Sequence, residues 1–116
     1  MNSLAVVILN YNGIKLLEKF LPKVVDCSPE AHLVIIDNAS TDGSIQWIKM
    51  NYPSIQCITL TQNFGYAGGY NKGLREVEAE IYCLLNSDVL VTKNWLSPLL
   101  NHFNSNSDTG ILQPHI

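Results

Sequence analysis

The chain has 116 residues, 47% of them hydrophobic and 15% charged, which describes one globular domain rather than a disordered segment. A net charge of −3 with no basic run argues against nucleic acid as a partner. No apolar segment reaches the ~20 residues that a bilayer span requires.

Met1 to Leu4 lack a basic n-region and a small-residue cleavage site, which argues against a secretory signal. Cys27, Cys57 and Cys83 are odd in number and widely spaced in apolar surroundings, and read as reduced core thiols of a cytosolic protein. His32, His102 and His115 show no ligand-like spacing.

In chain order, Leu4 to Leu9 is a β-branched and apolar run, as in a strand buried on both faces. It ends in the polar cluster Asn10-Tyr11-Asn12-Gly13. Ile14, Leu17, Leu21 and Val24 follow at helical spacing, with Pro22 expected to kink that helix or to restart it. Leu33 to Ile36 predicts a second strand, ending in Asp37-Asn38-Ala39-Ser40-Thr41-Asp42-Gly43-Ser44. Several of those residues can open the helix carried by Ile45, Ile48 and Tyr52, which Pro53 closes.

A weaker third strand spans Ile55 to Thr61, and Gln62 to Gly73 follow it. There Ala67 and Tyr70 begin a helical stripe that continues to Leu74 and Val77. The fourth strand is predicted over Ile81 to Val91, where Asn86-Ser87-Asp88 interrupts an apolar run. Leu96, Leu99, Leu100 and Phe103 predict a final helix, followed by a loop over Asn104 to Gly110 and the apolar pair Ile111-Leu112. Strand and helix alternate throughout, which implies an α/β fold with a mostly parallel sheet and helices on both faces.

In such sheets, ligands bind at the carboxyl ends of the strands, where strand order reverses. Each predicted strand ends in polar groups: Asn10 and Tyr11, then Asp37, then Gln62 and Asn63, then Asn86 and Asp88. Singly, each could be a turn residue or a helix cap; together they mark one edge of the sheet as a candidate site. A carboxylate such as Asp88 beside a core strand requires a partner. Gly65, Gly68, Gly69 and Gly73 admit two readings, close approach of backbone to a ligand or close packing of helix on sheet. No Walker loop is present, the first turn lacks the dinucleotide-binding glycines, and no acid follows the first strand as a phosphoacceptor domain requires.

Four segments in order, Val6 to Asn12, Ile35 to Ser44, Asn63 to Gly73 and Leu85 to Asp88, resemble family 2 glycosyltransferases, nearest to the rhamnosyltransferase-like branch. The resemblance implies the Rossmann-like, nucleotide-binding half of a GT-A fold. It also implies transfer of a sugar from a nucleotide-diphosphate-sugar donor, with inversion at the anomeric carbon. Carried over, Tyr11 lines the nucleobase and ribose pocket, and Asp37 accepts from the imide N–H of uracil or thymine in a UDP or dTDP donor. Asn10, Asn63, Gly65, Gly69, Asn71 and Asn86 join the donor-binding set. Asp88 corresponds to the last acid of the family's metal motif and would hold Mg²⁺ or Mn²⁺ against the diphosphate. Asp42 also matches a family position, and helix capping explains it equally well.

The chain departs from the family pattern at Asn86, where many relatives carry an acid, and at Tyr70, where many carry arginine. No Asp or Glu follows Asp108. Residues 1–116 are therefore expected to form the donor-binding part alone, with the acceptor site and the catalytic base beyond residue 116. Such a part would bind donor without turnover and could self-associate through its truncated edge. The acceptor implied is a saccharide or a lipid-linked saccharide for cell-surface polysaccharide, which would bring a cytoplasmic protein to the inner face of the membrane. Two other readings remain open: a non-catalytic nucleotide-sugar-binding or interaction module, and an α/β domain whose polar strand ends only cap helices.

Overall fold

The apolar runs Leu4 to Leu9 and Leu33 to Ile36 become the central strands of one sheet because they are largely buried on both faces, as a layered α/β arrangement allows. A computed structural model describes residues 3–105. Its strands are β1 (Leu4–Asn10), β2 (His32–Asp37), β3 (Gln56–Thr59) and β4 (Ile81–Leu84). They form one sheet in the order β3-β2-β1-β4, and every neighbouring pair is parallel. The helices are α1 (Ile14–Cys27), α2 (Ser44–Asn51), α3 (Gly65–Gly73) and α4 (Ser97–Ser105), with a 3₁₀ turn over Leu74–Glu76.

Alternate residues of β1 feed two cores. Leu4, Val6 and Ile8 pack with Leu17, Leu21 and Val24 of α1, Ile48 of α2, and Leu96. Ala5 and Val7 face the other way, with Val34, Ile36, Ile58 and Tyr70. So α1 and α2 cover one face together with Leu99 and Leu100 of α4, and α3 covers the other.

From β1 the chain steps outward to β2 and β3, then crosses back to place β4 on the opposite side of β1. This reversal makes β1/β4 the switch point, at whose carboxyl ends parallel sheets of this kind bind ligands. The β1–β4 register ends at Val7 and Leu84, while β1 continues to Asn10 opposite Asp37.

Several boundaries differ from expectation. The α1 helix runs unbroken through Pro22, whose missing N–H is tolerated on a helix anchored by Leu17, Leu21 and Val24. The fourth strand stops at Leu84: after Leu85 N–H bonds Val7 O, Asn86 to Asp88 turn away, so Asn86 to Val91 do not continue the ladder. The stripe from Ala67 to Val77 does not form one helix: it tightens to a 3₁₀ turn after Gly73, and Ala67 is exposed. Ile111 and Leu112 lie outside the described residues. Among the described residues, no helix is long and apolar enough to cross a membrane. The three cysteines are free, and burial pushes the Cys83 thiol up to about 11.

Candidate functional site

At the carboxyl ends of β1 and β2, a buried polar nest replaces the apolar pattern. Asp37 has no exposed surface and Asn10 is 1% exposed. Asn10 Nδ2 donates to Asp37 Oδ1 at 2.8 Å and to Ser40 Oγ at 3.3 Å. Ser40 returns to the same carboxylate twice, its hydroxyl donating to Oδ1 at 2.7 Å and its backbone N–H to Oδ2 at 2.8 Å. Ala39 makes this hairpin-like return possible at φ +63°, a strained conformation for a residue with a Cβ.

The Asp37 oxygens thus accept from the protein itself. An acceptor facing a nucleobase was expected; the structure instead encloses Asp37 behind Asn10 and Ser40. Because the Asn10 amide must present its N–H₂ to a carboxylate, its oxygen is turned away. Asn10 Oδ1 is buried and has no protein partner. Gly13 leaves it room, since a Cβ there would lie 2.6 Å from that oxygen.

The loop after β2 also secures both neighbouring helix starts. Asp42 accepts from the backbone N–H of Ile14 at 3.0 Å and of Ser44 at 3.0 Å, and from the Ser44 hydroxyl. Burial raises its pKa, but the bonds from Ser44 and Ile14 outweigh that and hold the carboxyl below its ordinary value. Capping is the role this geometry assigns to Asp42. Asn38, 2% exposed, donates to Gly65 O at 2.9 Å and accepts from Phe64 N–H at 3.1 Å, pinning the entrance of α3 to β2.

Around this buried nest lies an exposed rim. Tyr11 is 52% exposed after β1, and Asn63 and Gly65 are exposed at the start of α3. Asn63 Oδ1 accepts from Gly65 N–H at 2.8 Å, and Gly65 holds φ +78° with open space where a Cβ would stand. Asn86 and Asp88 are exposed in the turn after β4. Gly69 is buried instead: a Cβ there would meet Asn38 Nδ2 at 2.7 Å and Leu9 Cδ1 at 2.9 Å. Asn71 is exposed toward the far end of α3, away from the rim. Tyr70 is buried against the sheet, so its position offers no phosphate contact. Among the described residues, no group of three His, Cys, Asp or Glu side chains gathers.

Residues 5–115 match the family model described as Glycosyl transferase family 2. The chain belongs to that family. The match to glycosyl transferase family 2 is joined by two curated relatives. The low-salt glycan biosynthesis hexosyltransferase of Haloferax volcanii is 27% identical over 120 residues, covering 100% of this chain and 37% of that protein. The undecaprenyl-phosphate mannosyltransferase of Micrococcus luteus is 32% identical over 72 residues, covering 60% of this chain and 30% of that protein. The chain therefore spans about a third of the length of these relatives, which support the family rather than its rhamnosyltransferase-like branch.

Among solved structures of similar fold, a mannosyltransferase from Pyrobaculum calidifontis, in complex with GDP-Man and Mn²⁺, superposes with a TM-score of 0.64 at 25% identity, covering 77% of this chain and 28% of that one. S. aureus TarS superposes with a TM-score of 0.77 at 20% identity over 97% of this chain and 38% of that one, a likeness of fold. The parallel sheet seen here is thus the Rossmann-like part of a GT-A fold, as expected.

Within this family member, sequence reasoning missed Asn38, Ser40 and Tyr66. A hydroxyl three residues after a strand-end acid is the signature of a turn closed on that acid, which pointed to Ser40. Tyr66 lies four residues before Tyr70 on one helix face, and its hydroxyl donates to Asn86 Oδ1 at 3.1 Å.

Proposed function

We propose that this chain forms the nucleotide-diphosphate-sugar binding part of an inverting glycosyltransferase. The observation that carries this reading is the convergence, at the switch point of a parallel sheet, of the exposed groups Tyr11, Asn63, Gly65, Asn86 and Asp88 around a rigid buried nest. In this reading Tyr11 offers an exposed ring on which a base stacks. Asn10 and Asp37 shape the floor, both as positioning residues.

Asp88 supplies a hard oxygen ligand and is exposed in the turn after β4. One carboxylate plus substrate phosphates is the donor set Mg²⁺ or Mn²⁺ commonly accepts, so the residues fit a divalent ion. When bound, that ion supplies charge neutralisation for a departing diphosphate. The Pyrobaculum structure, which contains GDP-Man and Mn²⁺, supports the same reading.

The preference for UDP or dTDP rested on Asp37 reaching an imide N–H. With Asp37 enclosed, GDP stands beside them as a donor nucleotide. The acceptor and the catalytic base belong, in this proposal, to the part of the relatives that this chain does not span. The Micrococcus relative's name, with a lipid phosphate as its object, favours a lipid-linked acceptor and hence work at the inner membrane face.

Calorimetry with GDP, UDP and dTDP, in Mn²⁺ or in EDTA, tests the reading. At least one nucleotide binds in Mn²⁺, and Asp88→Ala reduces that binding by tenfold or more, about 1.4 kcal/mol. Binding that is unchanged by EDTA and by Asp88→Ala would falsify the metal role of Asp88. Absence of binding by all three nucleotides rejects the donor-site reading itself.

A further inference from the structure

The α3 helix carries two tyrosines whose contacts a donor pocket does not account for. Tyr70 is 4% exposed, and its hydroxyl accepts from Leu9 N–H at 3.3 Å and donates to Val7 O at 3.5 Å. Val7 O also accepts from Leu85 N–H at 3.0 Å, the last bond that joins β1 to the chain of β4. Asn10 O accepts from Asn38 N–H on the β2 side of β1. Leu9, its immediate neighbour, therefore directs its N–H to the β4 side, where the ladder has ended. The Tyr70 hydroxyl takes up that N–H at the point where β4 leaves, which removes an orphaned buried donor.

One turn earlier, the Tyr66 ring stands edge-on to Tyr70, with centroids 5.1 Å apart and planes at 75°. Tyr66 is 64% exposed, and its hydroxyl donates to Asn86 Oδ1 at 3.1 Å. A hydroxyl so exposed can bond water instead, so the fold gains little from this contact. Its effect falls on Asn86, which opens the exposed turn that carries Asp88. Backbone of β1, Tyr70, Tyr66 and Asn86 thus form one continuous path across the carboxyl ends of β1 and β4.

We propose that Tyr66 and Tyr70 act as a strap across the switch point that positions the Asn86–Asp88 turn. Tyr70 anchors the strap to β1, and Tyr66 sets the height of the turn above those strand ends. The amide at position 86 suits this task, because its oxygen accepts from a phenol without adding a second negative charge beside Asp88. Tyr66 is a positioning residue in this scheme, acting through Asn86. The consequence for ligand binding rests on the donor-site reading above; the mechanical claim does not.

Hydrogen–deuterium exchange of the ligand-free 116-residue chain tests the mechanical claim. Tyr66→Phe keeps the ring and removes only the hydroxyl. Amides from Leu85 to Leu90 then exchange about 2-fold faster, the low end of what one net hydrogen bond is worth because the hydroxyl is exposed, while β1 and β2 amides keep their rates. Asn86→Ala gives the same local acceleration, and the double variant adds nothing to either. In Mn²⁺, Tyr66→Phe weakens nucleotide affinity by a similar factor, with affinity in EDTA unchanged. Unaltered exchange from Leu85 to Leu90, or acceleration spread evenly over all strands, overturns the strap. Should the native chain bind none of the three nucleotides, the donor reading fails while the exchange rates still decide the strap.

Discussion

Asp37 shows how a residue's chemistry depends on which side of a strand end it occupies. Exposed, it would be an acceptor for a ligand; enclosed, it is the hub of Asn10 and Ser40. An acceptor open to ligand could be removed with little loss of stability; the enclosed carboxylate, which Asp37→Ala removes, could not. Removing it leaves the Asn10 amide, the Ser40 N–H and the Ser40 hydroxyl without their acceptor, at a cost of about 2–4 kcal/mol. Urea denaturation measures this, and a loss below about 0.5 kcal/mol would show that the nest closes without it.

Asp42 lends itself to a pH test. Its carboxyl is held below the ordinary value of 3.8, so the folded state favours the ionised form. The stability it contributes is complete above that value and is lost as pH falls through the lower, folded value. Asp42→Asn is therefore expected to cost about 1 kcal/mol at pH 7, and the gap from the native chain should narrow below pH ~3.8. Denaturation curves at the two pH values read both numbers, and a gap that is constant with pH would remove the charge from the account.

At the scale of elements, the glycines of α3 divide between a turn and close packing on the sheet. Gly65 takes a positive φ in open space at the rim, a turn conformation that glycine adopts without strain. Gly73 serves packing: a Cβ there would lie 2.4 Å from Ile36 Cδ1 and 2.7 Å from Ile36 Cγ2. Gly73→Ala should gain helix propensity yet lose about 1–3 kcal/mol overall, as α3 is pushed from β2. Thermal unfolding decides the sign, and a stabilised variant would mean that Ile36 repacks freely. The same close approach of α3 to the sheet lets the Tyr70 hydroxyl reach the backbone of β1. Gly69 and Gly73 are thus a precondition of the strap as well as of the core.

Over the whole molecule, the parallel sheet and its covered faces were legible in the sequence, because runs such as Leu4 to Leu9 and Leu33 to Ile36 are apolar on every residue. The edge on which the polar strand ends gather was legible for the same reason, since in a parallel sheet all carboxyl ends lie together. Residue type and order therefore determined the α/β class, the edge where the polar strand ends gather and the family. The tertiary structure alone decided which polar groups face outward. Asp37 ends an apolar run and Asp88 follows one after Asn86 and Ser87, yet one is sealed and the other exposed. Local sequence does not encode that difference, because it depends on what other segments bring: Asn10 and Ser40 close over Asp37, while β4 separates from β1 after the Leu85 bond and leaves Asp88 exposed.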